Sequence, residues 1–464
     1  MKLSSVWTGM LLASQLAVGS TYAQTAGNLS GPLPPTRIQD YQGQSSVGSG
    51  RGYWDYQSTG APRIAMADDE QAGREVVIGN PSGPAELTAP APTPSESVGS
   101  GAFYGDAGST TPSPVSDVST YDNSGLESVY GNSVVSGSNW YFGIYGLAFK
   151  RDDDYDIPLF TPVSDPSLNV ITTNTGQYDF AGGFEARLGR YLNDRWAVEA
   201  LYWGLFPNDQ NYRLDSWGYP GGFNSTLNLG SLNYDNGAGA LPLDTYFTGA
   251  QMVAVNRTFD YNNVELNFLR NACPGGCGPS SFVWLAGARY LQLDETFCMA
   301  SDLNNTVMGD DPPNELFYNI NVVNRLVGFQ IGGIWDRCVT SRMGLRVGSK
   351  VGIYGNQIDQ YQRIYGGTGV NATVNTGPYA GSDYYVQSQK NDVSWITELF
   401  AGLTYRVWDN WRLTGGYRAL IVSDVAIPYG QIPYRFSDLG EAANINANDS
   451  LLLHGIYAGL EYNW

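Results

Sequence analysis

The sequence has 464 residues, with 57 Gly, 32 Tyr, 12 Trp and 17 Phe but only 15% charged residues, which is unusual for a soluble domain of this size. Its formal net charge of -19 disfavours nucleic acid as a partner, because phosphate backbones bind basic surfaces. No phosphate-binding loop or nucleophile motif stands out, so we predict no enzyme activity, no cofactor and no metal site.

The first 23 residues have the pattern of a secretory signal. Lys2 precedes an apolar stretch from 6 to 18, and small residues at Thr21 and Ala23 stand where a signal peptidase reads. We therefore predict cleavage after Ala23. No later run of 18 or more apolar residues follows, so a membrane-embedded mature chain would cross the membrane as strands.

Residues 24–138 are rich in Pro, Gly, Ser and Thr and carry 12 acids against 4 bases. Such a segment buries too little apolar surface to offset its ordering entropy. We predict a low-complexity flexible periplasmic arm with a short ordered piece near 53–56. It acts either as a plain spacer or as a tether to the cell wall or another envelope partner.

From residue 139 to 464, apolar and polar residues alternate in ten segments. The predicted strands are 139–149, 178–190, 195–206, 260–270, 281–297, 318–336, 342–356, 393–407, 411–424 and 450–464. The connections alternate between long and short, as in barrels with short periplasmic turns and long extracellular loops. The fold class is therefore all-β, a closed antiparallel transmembrane β-barrel. Twelve strands result if the connection 207–259 holds a further hairpin around 248–257.

In the last strand, the residues alternate strictly between an apolar face and a more polar face. Leu452, Ile456 and Leu460 share one face, and Gly455 and Glu461 share the other. The final residues also match the signal that barrel proteins present to the barrel-assembly machinery, carried by Tyr457, Gly459, Tyr462 and Trp464. The alternative is an edge strand of a soluble β protein.

Charged residues on the polar faces of the strands are predicted to line the lumen. They are Glu185, Arg187, Glu199, Arg289, Arg342, Arg346, Lys350, Glu398, Arg406, Arg412, Arg418 and Glu461. They indicate either a water-filled pore that favours anions or a closed interior of neutralised pairs. A ten-stranded barrel lies nearer the filled limit.

Four cysteines in an exported chain are compatible with disulfides. Cys273 and Cys277 flank Pro-Gly-Gly, which favours a bridge over a metal site because no further Cys or His ligand is near. A Cys298–Cys338 bridge conflicts with the predicted topology, which places these residues on opposite sides of the membrane.

Two further features have a functional and a plain interpretation. His454 lies near Asp449, as a general base and its acid would, but a histidine in line with Leu452 and Ile456 is more typical of an interfacial residue. Acidic clusters at 152–156 and at Asp310 and Asp311 could bind Ca²⁺, yet they lack the spacing of a calcium loop and favour a solvated acidic loop.

Several segments resemble the seventh family of putative β-barrel porins, from planctomycetes. These segments are ELNFLR at 265–270, LAGARYLQLDE at 285–295, NRLVGFQIGGIW at 324–335, GIYGN at 352–356, GYR at 416–418 and DVAIPYGQI at 424–432. The resemblance covers about the last 200 residues and implies an outer-membrane barrel with a porin role.

The sequence thus predicts a bacterial outer-membrane barrel that acts as a porin-like passive diffusion channel. Its expected partners are outer-membrane lipid, the barrel-assembly machinery and small hydrophilic solutes. The alternative is a closed structural barrel, with the arm as a tether and the acidic loops as adhesin-like surface contacts.

Overall fold

The computed structural model describes residues 139–152, 156–175, 180–272 and 280–464. The predicted signal peptide, the predicted arm with its segment 53–56, and Cys273 and Cys277 lie outside the described residues. The two described cysteines, Cys298 and Cys338, are free thiols.

Ten antiparallel strands close into one barrel, which confirms the predicted fold class. The strands are β1 Trp140–Asp152, β2 Ala181–Tyr191, β3 Trp196–Asp215, β4 Met252–Asn271, β5 Ser280–Asp302, β6 Glu315–Cys338, β7 Met343–Gly366, β8 Tyr385–Arg406, β9 Trp411–Val425 and β10 Asp449–Asn463. Each strand pairs with its neighbours in sequence, and β10 returns to β1 with Ile144 opposite Leu460. The count is ten rather than twelve, because residues 252–257 continue β4 instead of forming another hairpin.

Short and long connections alternate around this barrel, so it has a turn end and a loop end. Both β1 and β10 have their outer termini at the turn end, where the backbone N–H of Trp464 donates to the carbonyl of Trp140 at 3.1 Å. The long connections 216–251, 303–314, 367–384 and 426–448 and the described parts of the connection 153–180 all lie at the loop end.

Most strands run farther toward the loop end than the alternation predicts. β7 continues to Gly366 rather than stopping near 356, and β8 begins at Tyr385 rather than near 393. In these extensions the outward positions become polar, as at Gln387 and Gln389. The alternation of apolar and polar residues therefore ends, although the strands remain paired by backbone hydrogen bonds.

The outward face nearer the turn end carries a continuous band of exposed apolar side chains. Val327, Phe329 and Ile331 of β6 are 62%, 76% and 64% exposed. At the turn end, this band is bordered by exposed aromatic residues, among them Trp140, Trp196, Trp284, Tyr405, Trp411 and Trp464. A tall apolar band with an aromatic girdle is the form that a barrel takes in lipid. Among the described residues, none of the helices is long and apolar enough to span a bilayer.

Short elements pack over the loop end. One small sheet joins Ile171–Thr172, Pro158–Pro162, Phe223–Ser225 and Thr248–Ala250, and another joins Thr373–Val374, Leu232–Asp235 and Ala240–Pro242. The 3₁₀ turns are Leu243–Phe247, Pro312–Asn314 and Pro428–Gln431, and the short helix α1 is Leu439–Ala443.

The connection between β9 and β10, residues 426–448, folds back against the barrel wall and is called the plug here. Ile427, Tyr429, Phe436 and Leu439 of the plug are all buried. They join one hydrophobic cluster with inward residues of the strands, such as Phe297 and Tyr318, and with residues of the other long connections.

Candidate functional site: the barrel lumen

The middle of the lumen is crossed by ion pairs between strands that are not neighbours. Arg289 of β5 donates from Nη1 to Glu398 Oε2 of β8 at 2.9 Å. Lys350 of β7 lies 2.9 Å from Glu265 of β4, and Arg418 of β9 lies 2.6 Å from Glu185 of β2. Two strands separate the partners in each pair. Side chains that meet across this distance bridge the interior instead of lining an open wall.

Glu398 connects these pairs into one network. Its Oε1 atom lies 3.2 Å from Lys350 Nζ and 3.6 Å from Arg418 Nε, in addition to the pair with Arg289. Neutral side chains fill the remaining positions. Gln330 Nε2 donates to Glu265 Oε2 at 2.8 Å, and Asn263 Oδ1 accepts from Arg289.

A second polar layer lies closer to the turn end. Arg346 contacts Asp336 at 2.8 Å and Glu461 at 3.3 Å, and the Tyr145 hydroxyl donates to Glu461. Tyr141 donates to Glu199 at 3.0 Å. A cavity of about 10 Å³ beside these groups has room for roughly one water molecule.

The charged residues of the interior have a net formal charge of zero. Six acids, Glu185, Glu199, Glu265, Asp336, Glu398 and Glu461, face six bases, Arg187, Arg289, Arg346, Lys350, Arg412 and Arg418. All are buried except Arg187, which is partly exposed and contacts Glu185. An interior with equal numbers of acids and bases, most of them in ion pairs, carries no ring of like charge of the kind that selects ions.

The structure brings most of the predicted lumen residues together and leaves two at the rim. Glu185, Arg187, Glu199, Arg289, Arg346, Lys350, Glu398, Arg412, Arg418 and Glu461 turn inward. Arg342 instead lies exposed in the turn between β6 and β7, where its carbonyl accepts from the backbone N–H of Arg406 at 2.8 Å. Arg406 is partly exposed at the same end.

Two acids of the network were missed from the sequence, Glu265 and Asp336. The signal for Glu265 was available, since it alternates with Val264 and Leu266, which are both 50% exposed. Their addition, together with the placement of Arg342 and Arg406 at the rim, removes the excess of bases on which an anion preference would depend.

A buried apolar layer lies between the charged network and the loop end. It contains Phe149, Trp203, Leu291, Leu326, Ile396, Leu420 and Leu453, contributed from around the barrel. Above it, Arg151 of β1 pairs with Glu295 of β5 at 2.9 Å, although three strands separate them. The Arg151 guanidinium also donates to the Tyr429 hydroxyl of the plug at 2.7 Å.

Inward-facing amides of the barrel wall hold the plug by its backbone. Asn324 donates to the carbonyl of Ala426 at 2.7 Å and accepts from the N–H of the same residue at 3.0 Å. Gln360 donates to the carbonyl of Ala442 at 2.7 Å, and Gln362 donates to that of Gln431 at 2.9 Å. Buried backbone groups of an irregular segment need such partners, so these amides fit the wall to the plug.

The last strand places its predicted signal residues on both faces. Tyr457 is buried in the lumen, whereas Trp464 is exposed and stacks on Tyr462 with ring centroids 5.6 Å apart. A Cβ atom on Gly459 would lie 2.1 Å from the carbonyl oxygen of Ile144, so only glycine allows this approach of β10 to β1.

His454 and Asp449 do not form a pair. His454 lies on the outward face, where Nε2 is 2.8 Å from Asp152 Oδ2 and Nδ1 contacts the Tyr417 hydroxyl. Asp449 is buried at the start of β10, on the opposite face. The acid and base that the sequence placed close together are therefore separated by the sheet.

Comparisons with known proteins found a family model that matches and several solved structures with a partial likeness. Solved structures that resemble the chain include the outer membrane protease OmpT from Escherichia coli, which is 9% identical and covers 72% of this chain and 100% of that chain, with a TM-score of 0.38. A major outer membrane protein from Thermus thermophilus is 9% identical and covers 71% and 100%, with a TM-score of 0.26. CarO from Acinetobacter baumannii is 12% identical and covers 69% and 97%, with a TM-score of 0.24.

A search of curated proteins found no match. The family model described as putative beta barrel porin-7 matches residues 165–464, which include nine of the ten strands and the plug. The chain therefore belongs to the putative beta barrel porin-7 family of outer-membrane β-barrels.

Proposed function

We propose that this protein is an outer-membrane barrel whose lumen is closed in the state described here, and that its first role is structural. It would anchor the N-terminal arm at the inner face of the membrane and present the loop end outside. The observation that carries this proposal is the set of direct ion pairs between strands separated by two others, such as Arg289 with Glu398.

The argument from size supports a closed interior. Barrels of about eight strands have an interior just wide enough for side chains, and aqueous channels occur at 16 to 18 strands. A path for hydrated solutes needs walls held apart by at least a solvation shell. Here Arg, Lys and Glu side chains from strands separated by two others are in contact, and Glu398 and Glu265 are each about 1% exposed.

The plug supplies a second barrier above the network. Its apolar side chains belong to the same buried cluster as the wall residues Ile320, Val322 and Ile358. An ion entering this cluster would lose its hydration without gaining a charged partner.

A gated channel for passive diffusion of small hydrophilic solutes is the second candidate. The porin description of the family favours it. The plug is also a single connection between the neighbouring strands β9 and β10, so it could move without breaking a strand pair. Outer-membrane lipid and the barrel-assembly machinery are the partners that either role requires. We propose no catalytic role for His454.

Single-channel conductance of the refolded mature protein in planar bilayers tests the proposal. We expect no conductance from the mature chain or from a variant lacking 24–138. A variant with residues 426–448 replaced by a short Gly-Ser turn should also be silent, because the charged network remains. Adding Glu265→Ser, Arg289→Ser, Lys350→Ser and Glu398→Ser removes the central network and keeps the interior neutral, but the apolar layer that includes Phe149 and Trp203 remains, so this variant should still be silent.

Heat-modifiable migration on gels would establish that each variant is a folded barrel. Stable conductance steps from the unmodified mature chain, proportional to salt concentration, would overturn the closed state and favour the diffusion channel.

A further inference from the structure

We propose that the carboxylates of Asp302, Asp310 and Glu315 form a binding site for one Ca²⁺ ion at the loop end, between β5 and β6. This site lies outside the lumen and is independent of whether the barrel conducts.

The topology brings the three carboxylates together. Asp302 ends β5 and Glu315 begins β6, and these two residues are direct cross-strand partners. Asp310 comes from the connection 303–314 that joins the two strands. One carboxylate oxygen from each residue lies within 4.8 Å of the others.

Two of the three carboxylates are enclosed. Asp302 is 0% exposed and Glu315 is 2% exposed. Asp302 Oδ1 accepts from the backbone N–H groups of Asn304 at 3.0 Å and Asn305 at 3.2 Å. Its other oxygen, Oδ2, is buried without a hydrogen-bond partner. A buried carboxylate oxygen without a hydrogen-bond partner, on a residue of an acidic cluster, lacks the donor or cation that such an oxygen requires.

Nothing else among the described residues neutralises the cluster. No Lys, Arg or His side chain in this part of the structure comes within ion-pair distance of the three carboxylates. Like charges directly opposite on paired strands are destabilising. Burial raises the pKa of the Asp302 carboxyl, and the negative charges of Glu315 and Asp310 raise it further.

The connection is folded around the site rather than extended into solvent. Glu315 Oε1 accepts from the backbone N–H groups of Gly309 and Asp311. Asn305 Nδ2 donates to Asp310 Oδ1 at 2.9 Å, which holds that carboxylate over the strand ends. Gly309 has a φ of 100°, which a residue with a side chain rarely adopts, so the turn that presents Asp310 depends on glycine.

The ligand chemistry selects the ion. All three ligands are carboxylates, which favours Ca²⁺, Mg²⁺ or Mn²⁺ over metals that prefer nitrogen or sulfur. Ca²⁺ tolerates irregular sets of six to eight oxygens, whereas Mg²⁺ demands near-ideal octahedral geometry. A site assembled from two strand ends and one loop, with water completing the shell, suits Ca²⁺.

Calorimetric titration of the refolded, chelator-treated protein in detergent micelles with CaCl₂ tests the site. We expect saturable binding of one Ca²⁺ per chain, with MgCl₂ binding more weakly. Asp302→Asn keeps the oxygen that accepts the two backbone N–H groups but removes a ligand and a charge. It should weaken Ca²⁺ binding by about tenfold or more. Asp165→Asn is the matched control, because Asp165 is an exposed loop acid that also accepts a backbone N–H, from Ser167, and its binding should be unchanged.

Thermal unfolding separates a ligand role from a packing role. Ca²⁺ should raise the melting temperature of the unmodified chain and of Asp165→Asn by more than it raises that of Asp302→Asn. In EGTA, Asp302→Asn should be at least as stable as the unmodified chain, because the repulsion with Glu315 is removed. Absence of saturable binding, unchanged binding by Asp302→Asn, or equal destabilisation of that variant in EGTA and Ca²⁺ would each overturn the proposal.

Discussion

The two halves of this barrel have opposite polarity although the same strands run through both. Toward the turn end, β6 presents Val327 and Ile331 outward and Gln330 inward against Glu265. Toward the loop end, the same strand buries Ile320 and Val322 inward, and β8 exposes Gln387 and Gln389 outward. One half is apolar outside and charged inside, and the other is built like a soluble domain.

The difference shows that the medium outside the wall decides which side chains each half can use. In lipid, an outward polar side chain is costly, so polar groups move inside and must pair with one another. Where the wall leaves the lipid, outward polar groups are hydrated and the interior can become an ordinary hydrophobic core. Arg325 marks the boundary, since it lies one step beyond Val327 on the outward face and pairs with Asp359.

The largest effect should come from unbalancing the charged interior. Glu398→Gln removes the shared partner of Arg289, Lys350 and Arg418 and leaves an excess buried charge. We expect a loss of about 3–5 kcal/mol in the free energy of unfolding. Equilibrium urea unfolding in lipid vesicles measures it.

The control for this change is Asp392→Asn, which breaks the partly exposed pair with Lys390. It should cost about 1 kcal/mol or less. Equal losses in the two variants would contradict the view that the interior depends on mutual neutralisation.

A charge introduced on the outward face should have the second-largest effect, and its cost should differ between the two halves of the barrel. Ile331→Arg, in the centre of the apolar band, should cost about 2–4 kcal/mol in the same unfolding measurement, because the guanidinium faces lipid. Gln389→Arg, on the outward face of β8 beyond the band, should change stability by about 0.5 kcal/mol or less. Similar costs at both positions would show that the band does not end where the outward residues become polar.

The smallest of the three effects concerns the hydrogen bonds that hold the plug against the barrel wall. Asn324→Leu leaves the buried N–H and carbonyl of Ala426 without their partner. We expect this to destabilise the folded position of the plug by about 1–3 kcal/mol. The rate of trypsin cleavage after Arg435, an exposed plug residue, should rise. Asn391→Leu, at an exposed position of β8, should leave that rate unchanged. An unaltered rate in Asn324→Leu would mean that Asn324 does not hold the plug.

Local patterns predicted the strands that cross the band but not their extensions. In β10 the period of two continues to the end, and Ile456 and Leu460 are exposed as the alternation requires. In β7 the residues Gln357, Asp359 and Arg363 read as loop, yet their strand continues because the inward residues Ile358 and Ile364 join the hydrophobic cluster. A polar outward face looks the same in a loop as in a hydrated strand.

The sequence predicted most residues of the candidate site, but it did not predict which of them form ion pairs. Glu398 and Arg418 could be placed inside because each alternates with apolar neighbours. That Arg418 meets Glu185, 233 positions earlier, follows only from the closure of the barrel. The inward fold of the plug was missed for a related reason, since its Pro, Gly and Asn residues are typical of an exposed loop until Asn324 and Gln360 supply backbone partners.

The sequence alone indicated the strands that cross the membrane, the facing of their residues and the alternation of turns and loops, because these depend on side-chain periodicity and chain length within one segment. It left open whether there are ten strands or twelve. Tertiary structure alone decided that the interior is filled, that its charges cancel, and that the acids at 302, 310 and 315 converge. Each of these depends on which distant strands lie opposite one another, and this is set by strand number and register around the closed barrel.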